Sequence, residues 1–249
     1  MICSLRQFSE VLEIRDTHGQ PYVLIGGQAV NYWAEHYASV DPQLERLRPF
    51  TSEDTDFKGN RADVERIARL LGLSPRYPHK VEMTALSGFI SFQIGGLKSA
   101  IEVVRRIPGV PETATPAIQA EWEGKTIRVL DPVSLLACKL GLAATVSQKK
   151  RQDVRHLKIL LPCVRAFLDE LLHRVQIGTL PAKDWLKVAN QVLKLTTNHR
   201  GRRLASSHQI HWPDILPLDA IPKSQNERIK RFRVQQLEQG YRKSKGISI

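Results

Sequence analysis

The residues most able to do chemistry are two aspartates two positions apart, Asp54 and Asp56, within the stretch Arg48 to Lys58. If residues 53 to 57 form a strand, both carboxyls point to one face about 7 Å apart, because strand side chains alternate with a rise of about 3.3 Å per residue. Like charges at that spacing repel. Such a pair persists when both groups are solvated, when one keeps its proton, or when a cation sits between them. The third case is divalent-cation chemistry, and the plain alternative is a solvated surface strand.

Stepping outward, the elements on either side decide what such a pair could serve. Upstream, the apolar run Tyr22-Val23-Leu24-Ile25 stops at Gly26-Gly27, and Ala29, Val30, Trp33 and Tyr37 then recur at helical spacing. The order is strand, glycine turn, helix. A glycine pair there lets backbone approach a phosphate and aims a helix N-terminus at the anion, although a tight strand-to-helix turn would use the same residues. The segment has neither the GxGxxG nor the GxxxxGK[ST] pattern, which sets aside dinucleotide-binding dehydrogenases and P-loop NTPases.

Residues 4 to 16 read as a helix and 38 to 50 as a polar loop, after which Asn60 is placed to cap a helix over 61 to 71 with Val64, Ile67, Ala68 and Leu71 on one face. Residues 80 to 107 read as β structure. Within it, Glu102 interrupts the run Ile101-Glu102-Val103-Val104. A carboxylate there calls for a partner such as Arg105 or Arg106, for an edge position, or for a role as a third metal ligand. A last strand spans 126 to 130, and Asp131-Pro132 supplies a cap and first-turn proline for a helix with Leu135, Leu136, Leu140 and Ala143 on its apolar face. Lys139 lies beside that face. Only helices follow, over 151 to 161, 164 to 176 and 182 to 195, then a basic linker at 198 to 203, a proline-punctuated stretch at 211 to 222, and a basic helix or tail over 225 to 245.

With 249 residues, 42% hydrophobic and 25% charged, the chain can bury a sizeable core without staples. No apolar run approaches the eighteen or so residues of a membrane helix, and the first residues lack the apolar region of a secretory signal, so no membrane association and a cytoplasmic location are expected. Cys3, Cys138 and Cys163 have no CxxC spacing and read as reduced core residues, and His208 and His211 lack the Cys or acidic pair that would complete a zinc set. The net charge is +12, of which +8 falls in the last 56 residues, where twelve Lys/Arg face four Asp/Glu. Attraction to polyanions follows, nucleic acid first.

Taken together, these pieces resemble the DNA polymerase β-type nucleotidyltransferase superfamily, and within it the minimal bacterial group around the AbiEii abortive-infection toxins. The matching residues are Leu24-Ile25-Gly26-Gly27-Gln28-Ala29-Val30, then Arg48 through Thr51 to Asp54, Asp56 and Phe57, then Ile101-Glu102-Val103-Val104, and last Asp131 to Leu140 with Lys139, followed by Lys150-Arg151-Gln152-Asp153. The resemblance spans about residues 20 to 160. It departs from the pattern at Gly27, where many relatives carry Ser, at Glu102, where many carry Asp, and in an insertion over residues 40 to 49.

The resemblance implies an α+β fold, a nucleotidyltransferase-like mixed sheet flanked by helices with a helical C-terminal region. Together with the helical and basic segments read above, for which the resemblance gives no support beyond about residue 160, the chain is expected to divide into a catalytic domain (1–130), a helical domain (131–197) and a basic extension (198–249). The resemblance implies transfer of an NMP group from an NTP to an acceptor hydroxyl with two Mg²⁺ ions. Asp54, Asp56 and Glu102 would be the catalytic and metal-binding residues, and Gly26, Gly27, Thr51, Lys139 and Asp153 would bind the nucleotide. The basic C-terminal region suggests RNA such as tRNA as acceptor, and the family suggests a toxin or phage-defence setting with an antitoxin protein as partner. A small-molecule or protein acceptor, or a non-catalytic nucleic-acid or partner-binding module of the same fold, fits the same residues. All of these readings except the inert module require the strand of Glu102 to lie beside that of Asp54 and Asp56.

Overall fold

The structure is a computed structural model, described here for residues 3–79, 81–94, 96–112, 115–149, 151–232, 237, 240 and 241. The described residues fall into two compact units, one built from 1–36 and 47–138 and the other from 37–46 and 139–249. In chain order, the elements are α1 (Ser9–Leu12), β1 (Val23–Ile25), α2 (Gly26–Tyr37), α3 (Pro42–Glu45), β2 (Thr55–Lys58), α4 (Arg61–Leu70), β3 (Pro75–Arg76), β4 (Leu86–Ile94), β5 (Leu97–Val104), β6 (Ala117–Trp122) and β7 (Lys125–Leu130). Then come α5 (Pro132–Thr145), α6 (Asp153–Gln176), α7 (Ala182–Thr197), α8 (His199–His208) and α9 (Glu227–Phe232). The class is α+β, as the sequence led us to expect.

The first unit is organised by a seven-stranded mixed sheet in the order β3-β4-β5-β2-β1-β7-β6. Alternation of burial fixes its register. In β2, Thr55 and Phe57 are buried while Asp56 and Lys58 are not. In β5, Ile101 and Val103 are fully buried and Glu102 lies between them. Because a slip of one residue would exchange the two faces, burying these apolar side chains turns Asp56 and Glu102 to the opposite face. β1 is buried along its length and pairs antiparallel with β2 and parallel with β7.

The helices that flank this sheet start where local chemistry dictates. The Asn60 side chain accepts from the amides of Ala62 and Asp63, and α4 buries Val64, Ile67 and Ala68 against β3, β4 and β5. Asp131 accepts from the amides of Val133 (2.9 Å) and Ser134 (3.0 Å) at the start of α5, as its position before Pro132 predicts. Trp33 on α2 donates its indole N–H to the Leu130 carbonyl at 2.8 Å.

Two strands were not legible in the sequence. β3 is only two residues long, and β6 is a half-buried edge strand with little apolar alternation. One signal for β6 is nonetheless present: Glu123 and Gly124 both have positive φ (49° and 75°) and make the two-residue turn into β7, a conformation that favours glycine.

The second unit is helical. α6 runs unbroken through Pro162, where the sequence suggested two helices. A proline inside a helix costs about 3 kcal/mol. Burial of Leu157 and Leu160 before it and of Cys163, Val164 and Phe167 after it, each contributing about 1.5–3 kcal/mol, outweighs that cost. Residues 198 to 203, expected as a linker, instead begin α8: the Asn198 side chain accepts from the Gly201 amide at 2.9 Å. A basic composition therefore did not mean an extended segment. Trp185 and Trp212 are fully buried and donate to the carbonyls of Leu168 (2.9 Å) and Gly201 (2.8 Å). The stretch 211 to 222 contains two short 3-10 turns, Trp212–Ile215 and Ile221–Lys223. Of the expected basic helix or tail, Glu227–Phe232 is helical and most of the remainder lies outside the described residues.

A Cβ on Gly201 would meet the carbonyl oxygens of Leu195 and Thr196 at 2.5 Å, whereas one on Gly141, within α5, would meet nothing within 4 Å. Gly201→Ala should destabilise the protein by about 1–3 kcal/mol through overpacking, and Gly141→Ala should stabilise it by about 0.5–1 kcal/mol through helix propensity. Urea denaturation of the two variants beside the parent chain measures both; equal midpoints for the two variants would contradict the packing described.

Candidate functional site

The glycine turn, β2 and β5 converge on one face of the sheet. Ile25 pairs with Asp56, and Asp56 pairs in turn with Glu102 on the parallel neighbour β5. Asp54 lies just before β2, at a bend rather than within the strand. Each of Asp54, Asp56 and Glu102 offers one carboxylate oxygen, the three oxygens lie within 4.8 Å of one another, and all three residues are half-buried. The juxtaposition that the sequence required of Glu102 is thus present. The edge position is excluded, and the two arginines have contacts of their own. β5 is an interior strand between β4 and β2, Arg105 donates to the Thr84 carbonyl at 2.6 Å, and Arg106 pairs with Glu112.

Gly26 closes the other side of this group. Its φ is +66°, and a Cβ there would fall 1.8 Å from Asp56 Oδ2. Only glycine lets the backbone turn so close to that carboxylate. Gly27 is buried in the first turn of α2.

The loop that carries Asp54 is pinned from two directions. Ser52 exchanges backbone hydrogen bonds with Cys3 at 2.7 and 2.9 Å, and the buried Gln28 side chain donates to the Cys3 carbonyl at 3.0 Å. From β5, the Ser99 hydroxyl donates to the Glu53 carbonyl at 2.9 Å. Ser52 Oγ itself lies 3.4 Å from Asp54 Oδ1. None of Ser52, Gln28 and Ser99 stood out in the sequence, since single polar residues in short strands and first helical turns give no periodic signal. Arg48 is engaged structurally: its guanidinium makes a two-pronged bond to Glu35 at 2.8 and 2.9 Å and lies 4.9 Å from the centre of the Phe50 ring. Thr51 Oγ1 is buried with no hydrogen-bond partner among the described residues.

These residues suit a hard divalent cation. Two oxygens bound to one Mg²⁺ at about 2.1 Å stand at most about 4.2 Å apart, so a set spanning 4.8 Å needs only a small contraction or a second ion. Without a cation, each pair of carboxylates repels by on the order of 3 kcal/mol at an effective dielectric constant of about 20. The group is an oxygen-only donor set, with no Cys or His in it.

Lys139 and Asp153, expected from the sequence in nucleotide binding, lie in the second unit and bond to each other at 3.0 Å, with the Lys139 and Asp153 side chains 7% and 2% exposed. Arg151 bonds the other carboxylate oxygen at 2.6 Å. Lys150 lies outside the described residues. Burial pushes the Asp153 carboxyl up, and Lys139 with Arg151 pulls it further down, to below the ordinary carboxylate range. Beside them is His156, buried, with neither ring nitrogen hydrogen-bonded to a described residue. Burial, and then the neighbouring Lys139, hold its imidazole down to about 3, so it stays neutral. His208 and His211 form no zinc set; His211 Nδ1 instead bonds Asp214 at 2.8 Å. The three cysteines are buried and form no disulfide with one another, and no helix among the described residues is long and apolar enough to cross a membrane.

No protein-family model matches the chain, and the comparison with curated proteins gives no match. Among solved structures, it is similar to the crystal structure of an antigenic nucleotidyltransferase-like protein from Paracoccidioides brasiliensis, at 14% identity and a TM-score of 0.44, over 65% of this chain and 78% of that one.

Two outcomes follow from this geometry. Gly26→Ala should push Asp56 aside and weaken Mn²⁺ binding by tenfold or more in calorimetric titration while the circular dichroism spectrum is retained; parent-like Mn²⁺ binding would refute the close approach. For His156, the unfolded imidazole takes up a proton near pH 6.5 and the folded one not until about 3, so protons favour the unfolded chain below pH 6.5. Stability should fall by about 1 kcal/mol per pH unit from pH 6 to 4.5, and urea melts of His156→Leu should show a shallower fall over that range. Parallel slopes would contradict it.

Proposed function

We propose that the chain is a divalent-cation-dependent nucleotidyltransferase that moves an NMP group from an NTP to an acceptor hydroxyl. The observation that carries this reading is the register pairing of Asp56 with Glu102, which together with Asp54 puts three carboxylate oxygens within 4.8 Å on the face where Gly26 turns the backbone against Asp56. In the reaction, the acceptor hydroxyl attacks the α-phosphorus in line, the bond from the α-phosphorus to the bridging oxygen breaks, and pyrophosphate leaves. Bound Mg²⁺ would supply charge neutralisation for the attacking and leaving oxygens. Asp54 and Asp56 would hold the cation, and Glu102, beside them, would take the proton of the acceptor hydroxyl. The Gly26-Gly27 turn, at the start of α2, would present backbone amides of a helix N-terminus to the triphosphate.

The net charge of +12 supports RNA as the acceptor. The toxin or phage-defence setting is supported by the sequence resemblance alone.

Incubation with each labelled NTP, Mg²⁺ and total RNA should give labelled product with the parent chain. Asp56→Asn and Glu102→Gln should each lower the rate on the order of 10²- to 10³-fold, and Glu102→Asp should retain part of it because the carboxylate is kept. If the parent chain and Asp56→Asn give the same result with all four NTPs, the proposal is wrong.

A further inference from the structure

The two edges of the seven-stranded sheet differ in how they meet solvent. At one edge, β3 is two residues long and begins with Pro75, and both a short strand and a proline blunt an edge against pairing. At the other, β6 runs for six residues, Ala117–Trp122, with no proline within it and no bulge in its pairing with β7. It carries no lysine or arginine, and its one charged side chain, Glu121, accepts from the Thr126 hydroxyl at 2.8 Å. A regular, unguarded edge of this kind is a template for a further strand.

Register decides which backbone groups that edge presents. Glu123-Gly124 is a two-residue hairpin loop, so the flanking pair Trp122 and Lys125 exchanges hydrogen bonds, and in alternation so do Ala120 with Ile127 and Ile118 with Val129. The Asp131 amide, bonded to the Pro116 carbonyl at 3.0 Å, continues the series. The N–H and C=O groups of Gln119 and Glu121 and the Ala117 carbonyl therefore point away from β7, where no strand lies among the described residues. The Ala117 amide is taken locally, by the Thr115 carbonyl at 2.8 Å.

These groups are complementary to themselves. In antiparallel pairing about a two-fold axis at Gln119, each Gln119 amide donates to the Gln119 carbonyl of the other copy, and each Glu121 amide to the other's Ala117 carbonyl, about four bonds in all. The side chains agree with that register. Gln119 is exposed, and an amide both donates and accepts, so two of them facing across the axis bond each other. Glu121 falls opposite the Ala117 methyl, which keeps the two carboxylates apart. An axis at Glu121 would set like charges directly opposite, and one at Ala117 would carry Glu121 beyond the start of the other strand. On the core face, Ile118, Ala120 and Trp122 are only half-buried, and the Trp122 indole N–H is buried with no hydrogen-bond partner among the described residues. Pairing at Gln119 brings Ile118 beside Ala120 of the second copy and continues this apolar strip across the axis.

We infer that β6 is a dimerisation edge, at which two copies of this chain pair antiparallel about Gln119 and join their sheets into one. A strand from an unrelated protein would require no such self-complementarity. The pairing does not depend on nucleotidyl transfer, because β7 and β1 separate β6 from the strand of Asp56.

The test is analytical ultracentrifugation of the full chain at on the order of 100 µM, a concentration suited to a short interface, joined to amide hydrogen exchange. The parent should sediment with the mass of two chains and protect the Gln119 and Glu121 amides. Gln119→Pro removes the central outward N–H, a change an edge strand tolerates, so the circular dichroism spectrum should be retained while the mass falls to one chain and the Glu121 amide exchanges fast. Gln119→Lys keeps the N–H but opposes two cations across the axis, and should raise the dimer dissociation constant by about tenfold or more. Gln119→Thr, with neither change, should remain a dimer. If the proline variant loses the parent spectrum, the lysine variant decides by the same two readouts. A parent of one-chain mass would overturn the inference, and protection of the Glu121 amide in such a monomer would mean that something other than a second copy covers the edge. A two-chain mass and parent-like exchange in the proline and lysine variants would overturn it as well, by placing the contact elsewhere.

Discussion

Three carboxylate oxygens within 4.8 Å of one another repel, and everything around them in the first unit serves to hold them there. The repulsion is of order 3 kcal/mol per pair. Against it stand the buried neighbours on the same strands: Phe57 on β2 and Ile101 and Val103 on β5, each contributing about 1.5–3 kcal/mol by leaving water. Those side chains cannot be buried without turning Asp56 and Glu102 outward to the opposite face. The site is therefore a by-product of the register that the core selects. The two terms are comparable in size, so a divalent cation that cancels the repulsion gains affinity from the fold itself.

The loop that carries Asp54 has no such strand-wide alternation to fix it, and it depends instead on specific bonds. Backbone pairing with Cys3, the Gln28 side chain behind that pairing and the Ser99 hydroxyl restrain residues 52 and 53 directly before Asp54. The absent side chain of Gly26 completes the arrangement, because the space it leaves is occupied by the Asp56 carboxylate. Each of these devices is local. Their combined effect is to fix oxygens from two strands and a bend within the span of one small ion or of a pair.

Much of this was legible in the sequence where a single residue type has a single physical use. Asn60 before a periodic apolar run, Asp131 before Pro132, and an apolar run ending in Gly26-Gly27 each predicted an element boundary that the structure shows within a residue or so. The β-branched run around Glu102 predicted a strand, and the conflict of a carboxylate within that run marked it for function. Strand order was not legible, because it depends on contacts between segments tens of residues apart. Short or half-buried strands such as β3 and β6 carried too little alternation to be seen, and Pro162 and the basic run at 198 to 203 misled because burial on both sides outweighs local preference. Polar residues that act through one bond, such as Ser99, were invisible because a single polar residue gives no periodic signal. In the second unit, Lys139 and Asp153 were expected from the resemblance to bind the nucleotide, and they are buried and paired with each other beside a neutral His156. A buried ion pair is weak evidence of stability in itself, since desolvation offsets most of its attraction.

The central claim is that Asp54, Asp56 and Glu102 act together on metal-bound nucleotide, and a crystal grown with Mn²⁺ and a non-hydrolysable NTP tests it most directly. Anomalous scattering should show two Mn²⁺ peaks, both touching Asp54 and Asp56 and one touching Glu102, with the triphosphate against Gly26-Gly27. A well-ordered nucleotide elsewhere, or no anomalous peak at the three carboxylates at saturating Mn²⁺, would contradict the account.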